Sequence, residues 1–148
     1  PMGQSAQLQR MEGIENVLKD YPDIQILDQN TANWSRSEAM TLMETWITTY
    51  GDDIDAVVSE NDEMALGARE AIEAQNMDIP GIDGITDAVA AVESGKMIAS
   101  DFQNAEGQIT GALETAVKCV NNEDYEKELW IPFEMITPDN YKDYQSKY

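Results

Sequence analysis

Apolar positions along this chain switch repeatedly between helical spacing and short, nearly alternating runs. From about Ala6 to Asp20, Leu8, Met11, Ile14, Val17 and Leu18 recur every three or four residues. That spacing predicts a helix capped by Ser5 and stopped at Tyr21-Pro22. Asp23 to Leu27, with Ile24, Ile26 and Leu27, predicts a strand. A polar loop from Asp28 to Trp34 leads into Ser35-Arg36-Ser37-Glu38, which has capping-box spacing. The helix it opens runs to about Tyr50 on Ala39, Leu42, Met43, Trp46 and Ile47. Gly51-Asp52-Asp53 turns the chain into Ala56-Val57-Val58, read as a buried parallel strand. Asn61 or Asp62 then caps a helix to about Gln75, with a turn at Gln75-Asn76. Ile79 to Ile82 predicts a strand ending in Gly81-Ile82-Asp83-Gly84. A helix follows from Thr86 or Asp87 through Val92, closed by Ser94-Gly95. Met97 to Phe102 predicts a further strand ended by Gln103-Asn104, and Ile109 to Val120 a helix. Leu129 to Ile136 is an extended tail around Pro132.

The helix–strand unit repeats about five times at the spacing of parallel crossover units, predicting an α/β fold with a parallel sheet covered on both faces. The first helix has no strand before it, whereas a doubly wound sheet needs one in its middle; the chain reads as part of something longer. Ligands of open α/β sheets sit beyond the carboxyl ends of the strands. Asn61 occupies such a place, either as a ligand contact or only as a helix cap.

Composition narrows the chemistry. Nine Lys+Arg against 29 Asp+Glu give a formal charge of -20, a surface that repels nucleic acid and anionic lipid. No histidine is present, which removes the usual general base and the commonest metal ligand. The single cysteine, Cys119, cannot form an internal disulfide and reads as a small core residue. No stretch reaches the roughly 18 apolar residues of a membrane span.

The polar residues just past the predicted strands are Trp34, Asn61 with Asp62 and Glu63, Asp83, and Gln103 with Asn104. On a parallel sheet they fall at one edge. A flat aromatic, two amides and a carboxylate suit a neutral polyhydroxylated ligand: directional hydrogen bonds to hydroxyls, and an indole over an apolar ring face. Each also has a plainer reading, Trp34 as a loop hydrophobe, Asp83 as a turn former and Gln103 as a surface residue. A carboxylate metal centre from Asp62, Glu63, Asp83 and Asp87 is the enzymatic alternative, but adjacent helical residues point about 100° apart. No cofactor or metal is expected.

Gln4-Ser5-Ala6-Gln7, Thr31-Ala32-Asn33-Trp34-Ser35-Arg36, Glu60-Asn61-Asp62-Glu63-Met64-Ala65-Leu66-Gly67, Gly81-Ile82-Asp83-Gly84 and Phe102-Gln103-Asn104 resemble the carboxy-terminal half of a periplasmic-binding-protein-like sugar receptor of the ribose/galactose/inositol type. The resemblance implies a three-layer, Rossmann-like parallel sheet, the incomplete carboxy-terminal lobe of a type I periplasmic-binding-protein fold. Residues 1–103 would form that lobe without its first strand–helix unit, and 104–148 a hinge-crossing helix with a returning tail. It also implies that Trp34 stacks on the ligand ring, that Asn61 and Asp83 bind hydroxyls, and that Gln103 is a hinge-proximal contact. Ribose-type members carry an arginine where this chain has Leu8, with Arg10 matching a second arginine; the motif wording leans toward inositol or polyol members.

The implied function is extracytoplasmic capture of a neutral sugar or polyol for ABC-type import, without catalysis. The implied partners are a missing amino-terminal lobe and the importer's membrane subunits, with no nucleic acid. Exposed faces would favour self-association or domain swapping of the isolated piece. Two alternatives stand beside it: the effector domain of a LacI-type regulator, and a fragment that binds nothing by itself.

Overall fold

The computed structural model describes residues 2–72 and 77–147. In chain order the elements are α1 (Ser5–Leu18), α2 (Arg36–Tyr50), α3 (Asp62–Ala71), β1 (Pro80–Asp83), α4 (Thr86–Glu93), β2 (Ala99–Phe102), α5 (Ala105–Val120) and β3 (Glu134–Ile136), with short 3-10 turns at Gly51–Asp53 and Tyr141–Asp143. The expected end of α3 at Gln75 and the Gln75-Asn76 turn lie outside the described residues.

Local chemistry explains where the helices begin. Ser35 caps α2 by accepting from the Glu38 N–H at 3.3 Å, while the Glu38 carboxylate accepts from the Asn33 side chain at 2.8 Å instead of closing the box. Asn61 caps α3 through Met64 N–H at 3.0 Å, and Asn104 caps α5 through Gly107 N–H at 2.8 Å. Ser5 does not cap α1; Gln4 holds the cap position without a side-chain bond, and Ser5 is already helical.

The sheet is smaller than expected and mixed. β1 and β2 pair in parallel from Pro80↔Ala99 to Asp83↔Phe102, and β3 joins β2 antiparallel with Ser100 opposite Ile136. The segment Ala56-Val57-Val58 contributes one parallel bridge, Ala56 to Asp78, rather than a ladder. Val57 is buried but Ala56 and Val58 are exposed, so the buried-strand reading holds for Val57 alone. Asp23 to Leu27 forms no strand: its backbone finds no ladder partner among the described residues, and Ile24, Ile26 and Leu27 are exposed. Alternation records a preference for a pleated surface, and without a neighbour the preference is not realised.

The core gathers Met43 of α2, Val57, Ala65, Ala68 and Ile72 of the α3 region, Ile79, Val89 and Val92 of α4, Met97, Phe102 and Ile136. Gly67 lets α3 approach α2 closely, since a Cβ there would collide with the Arg36 carbonyl. By contrast α5 buries only Gly111 and leaves Ile109, Leu113, Val117 and Val120 exposed. Cys119, expected in the core, is exposed because α5 stands away from it.

Candidate ligand-binding site

The amino ends of α2, α3 and α4 meet beside the carboxyl end of β1. Arg36, at the first position of α2, forks onto both Glu63 oxygens at 2.9 and 3.2 Å and onto Asp87 at 2.9 Å, joining the three helix starts. These ion pairs raise the Arg36 pKa above its ordinary value, Glu63 contributing most. Asp62 lies beneath them, fully buried. Its carboxylate accepts from Gly84 N–H at 2.6 Å, Ile85 N–H at 2.9 Å and the Ser100 hydroxyl at 2.6 Å. Gly84 is at φ 74 and packs against Phe102, a turn that a side chain would strain. The four carboxylates considered for a metal centre are thereby divided: Glu63 and Asp87 go to Arg36, Asp83 to Arg10 and Asp62 to the buried donors.

The candidate site is built on this support. Asp83 ends β1 with φ at 131°, a left-handed backbone value that costs energy for a non-glycine residue. Arg10, from α1, donates to Asp83 Oδ1 at 3.2 Å and to the Glu60 carbonyl, and its guanidinium carbon lies 5.8 Å from the centre of the Trp34 ring. Asn33 and Trp34 are both left-handed, at φ 52 and 64, which turns the indole toward α1. There the Trp34 Nε1–H donates to Gln4 Oε1 at 2.9 Å. Trp34, Arg10 and Asp83 thus stand together although they come from three distant stretches.

Asn61 is buried and spends its side-chain oxygen on the α3 cap, so the capping reading is realised; its amide nitrogen makes no hydrogen bond among the described residues. Gln103 follows directly on β2, its N–H donating to the Asp83 carbonyl at 3.0 Å and its side chain to Gln108 at 3.3 Å. Leu8 is 57% exposed on α1.

Two acidic groups missed by inspection of strand ends belong to the same neighbourhood. Asp101, opposite Ile82 in the sheet, and Glu60, before the α3 cap, both feel the Arg10 charge. Burial raises the pKa of Asp83, Asp101 and Glu60, with Arg10 pulling each back down and a Gln7 hydrogen bond doing so more strongly for Glu60. The available signal for Asp101 was a charged residue inside a predicted strand.

Residues 1–124 match the family model described as periplasmic binding protein domain, and the chain belongs to that family. It is 42% identical over 143 residues to a xylitol-binding protein of Mycolicibacterium smegmatis, covering 95% of this chain and 41% of that protein. It is 39% identical to a putative rhizopine-binding protein of Rhizobium meliloti, covering 93% and 47%. Among solved structures, an ABC transporter solute-binding protein of Bacillus halodurans with bound myo-inositol superposes with a TM-score of 0.90 at 40% identity, over 99% of this chain and 52% of that one. The chain spans about half the length of the relatives it matches. It has a partial type I periplasmic-binding-protein-like α/β fold. Family membership makes it a non-catalytic, extracytoplasmic protein.

Proposed function

We propose that this chain is the carboxy-terminal lobe of a solute-binding protein that captures a neutral sugar or polyol for an ABC importer. The observation that carries the reading is the wall made by Trp34, Arg10 and Asp83 at the carboxyl end of β1. It offers an aromatic surface beside an ionised acceptor fixed by a cation, which matches a ring or chain with apolar C–H groups on one side and hydroxyls on its rim.

In this reading Trp34 packs on the ligand, Asp83 and the Asn61 amide bind hydroxyls, and Gln103 contributes from the end of β2. Leu8 lends an apolar contact, and Arg10 lies at the same wall. Residues 1–103 form the lobe; 104–148 carry the hinge crossing and the return. The exposed stripe on α5 supports that division, because a face of this size is made to be covered. The relatives that bind xylitol and myo-inositol support the polyol class. Closure of a second lobe over the ligand completes the mechanism.

Calorimetric titration of the two-lobed protein with xylitol, myo-inositol and D-ribose tests the proposal. Saturable binding with one ligand per protein is expected; no heat with any neutral sugar or polyol contradicts it.

A further inference from the structure

We infer that Tyr144, near the end of the chain, is a positioning residue that acts through Phe102: it clamps β2 to β3 and thereby holds the Asp83-Gly84 turn and Gln103 in place for the ligand. The inference rests on the binding reading above and extends it to a segment that touches no ligand.

The clamp is built by local chemistry first. After β3 the Asn140 side chain accepts from Thr137 N–H at 2.7 Å and donates to the Met135 carbonyl at 2.9 Å, which folds the tail back. The 3-10 turn at Tyr141–Asp143 follows and delivers Tyr144 to a buried place. Its ring centre lies 5.3 Å from that of Phe102 with the planes tilted by 58°, a favourable aromatic arrangement. Its hydroxyl donates to Glu134 Oε2 at 2.9 Å, a hydrogen bond strengthened by the carboxylate charge. Glu134 is the residue paired with Phe102 across β2 and β3. One side chain therefore grips both members of the end pair of the ladder, where the chain leaves the sheet for α5 and where it returns.

The grip reaches the site in one further step. Phe102 packs so close to Gly84 that a Cβ on Gly84 would lie 2.9 Å from both its Cα and its Cδ2. Asp83 and Gly84 have left-handed backbones, at φ 131 and 74, and such a value persists at a non-glycine residue only where the surroundings enforce it. Gln103, next after Phe102, donates its N–H to the Asp83 carbonyl at 3.0 Å. A loosened Phe102 would release that bond and one wall of the turn together, leaving Asp62 to hold Gly84 and Ile85 from the α3 side.

The test pairs amide hydrogen exchange in the 148-residue chain with polyol binding in the two-lobed protein. Tyr144→Leu removes the ring and the hydroxyl; Tyr144→Phe removes the hydroxyl alone. In Tyr144→Leu the Gln103 N–H is expected to exchange at least tenfold faster relative to the Ala65 N–H of α3, which bonds to the Asn61 carbonyl away from the clamp. Tyr144→Phe should fall between the two, and myo-inositol or xylitol affinity should drop in the same order, at least fivefold for Tyr144→Leu. Glu134→Gln, which keeps an accepting oxygen, should stay nearer to wild type than Tyr144→Phe, and this pair carries the test if Tyr144→Leu does not fold. An unchanged Gln103 N–H, or equal acceleration at Gln103 and Ala65, would overturn the inference, the latter by reducing Tyr144 to general stability. A freed Gln103 N–H with unchanged polyol affinity would overturn it too. If the wild-type protein binds neither polyol, the binding reading fails, and exchange alone decides whether Tyr144 holds the turn.

Discussion

The Ser100 hydroxyl donates to Asp62 Oδ1 at 2.6 Å, tying β2 to the first turn of α3 across 38 positions of the chain. With Gly84 and Ile85 on the other oxygen, Asp62 joins three elements inside the core. Asp62→Ala leaves the Ile85 N–H and the Ser100 hydroxyl without their acceptor in a buried place, while Gly84 N–H keeps the Ser100 oxygen at 3.2 Å, and should cost about 3 kcal/mol. Asp62→Asn keeps an accepting oxygen and should cost about 1 kcal/mol. Urea denaturation followed by circular dichroism separates the two; equal midpoints for wild type and Asp62→Ala would contradict the role.

Stability should fall as pH rises across the acidic range. Burial raises Asp62, Asp83, Asp101 and Glu60 above their ordinary values. The folded chain therefore holds protons that the unfolded chain has already released, and the slope of stability against pH is negative from the ordinary carboxylate value up through the folded ones. The formal charge of -20 acts in the same direction. Thermal melts at about pH 5 should lie above those at about pH 7; the reverse order would show that hydrogen bonds and Arg10 outweigh burial.

Much of the helical frame was legible in the sequence, because Ser35, Asn61 and Asn104 announce helix starts by chemistry that acts within one turn. The strands were less so. Ile24 and Ile26 alternate as a strand would, with Leu27 beside them, yet they pair with nothing among the described residues, since pairing depends on a neighbour that local pattern cannot supply. Trp34, Asn61, Asp83 and Gln103 were expected as ligand contacts from their place after predicted strands; the structure gathers Trp34 and Asp83 around Arg10, although the strand expected before Trp34 does not form among the described residues. The Arg10–Asp83 pair was not expected, because 73 positions separate the partners and only the fold brings them together. Cys119 shows the opposite error: its helical register suggested a core that α5 does not reach.

Trp34→Ala should weaken polyol binding in the two-lobed protein by roughly 1–3 kcal/mol. The indole is half-buried in a loop outside the main core, so folding stability should change little. Calorimetry paired with a thermal melt tests both parts; unchanged affinity would remove Trp34 from the site.

The isolated chain should self-associate. Ile109, Leu113, Val117 and Val120 form a stripe on α5 between 59% and 81% exposed, with Trp130 a further 84% exposed on the tail. Sedimentation velocity should show weight rising with concentration, and Leu113→Lys with Val117→Lys should return a monomer. A concentration-independent monomer in the wild type would mean that the stripe is not adhesive.

The wall of Trp34, Arg10 and Asp83 is proposed to hold a polyol. A crystal structure of the two-lobed protein with myo-inositol or xylitol tests it most directly. The expected result is the ligand's apolar side against the Trp34 ring and one of its hydroxyls on an Asp83 oxygen, with Arg10 still on Asp83. A ligand bound elsewhere, with Asp83 and Trp34 untouched, would contradict it.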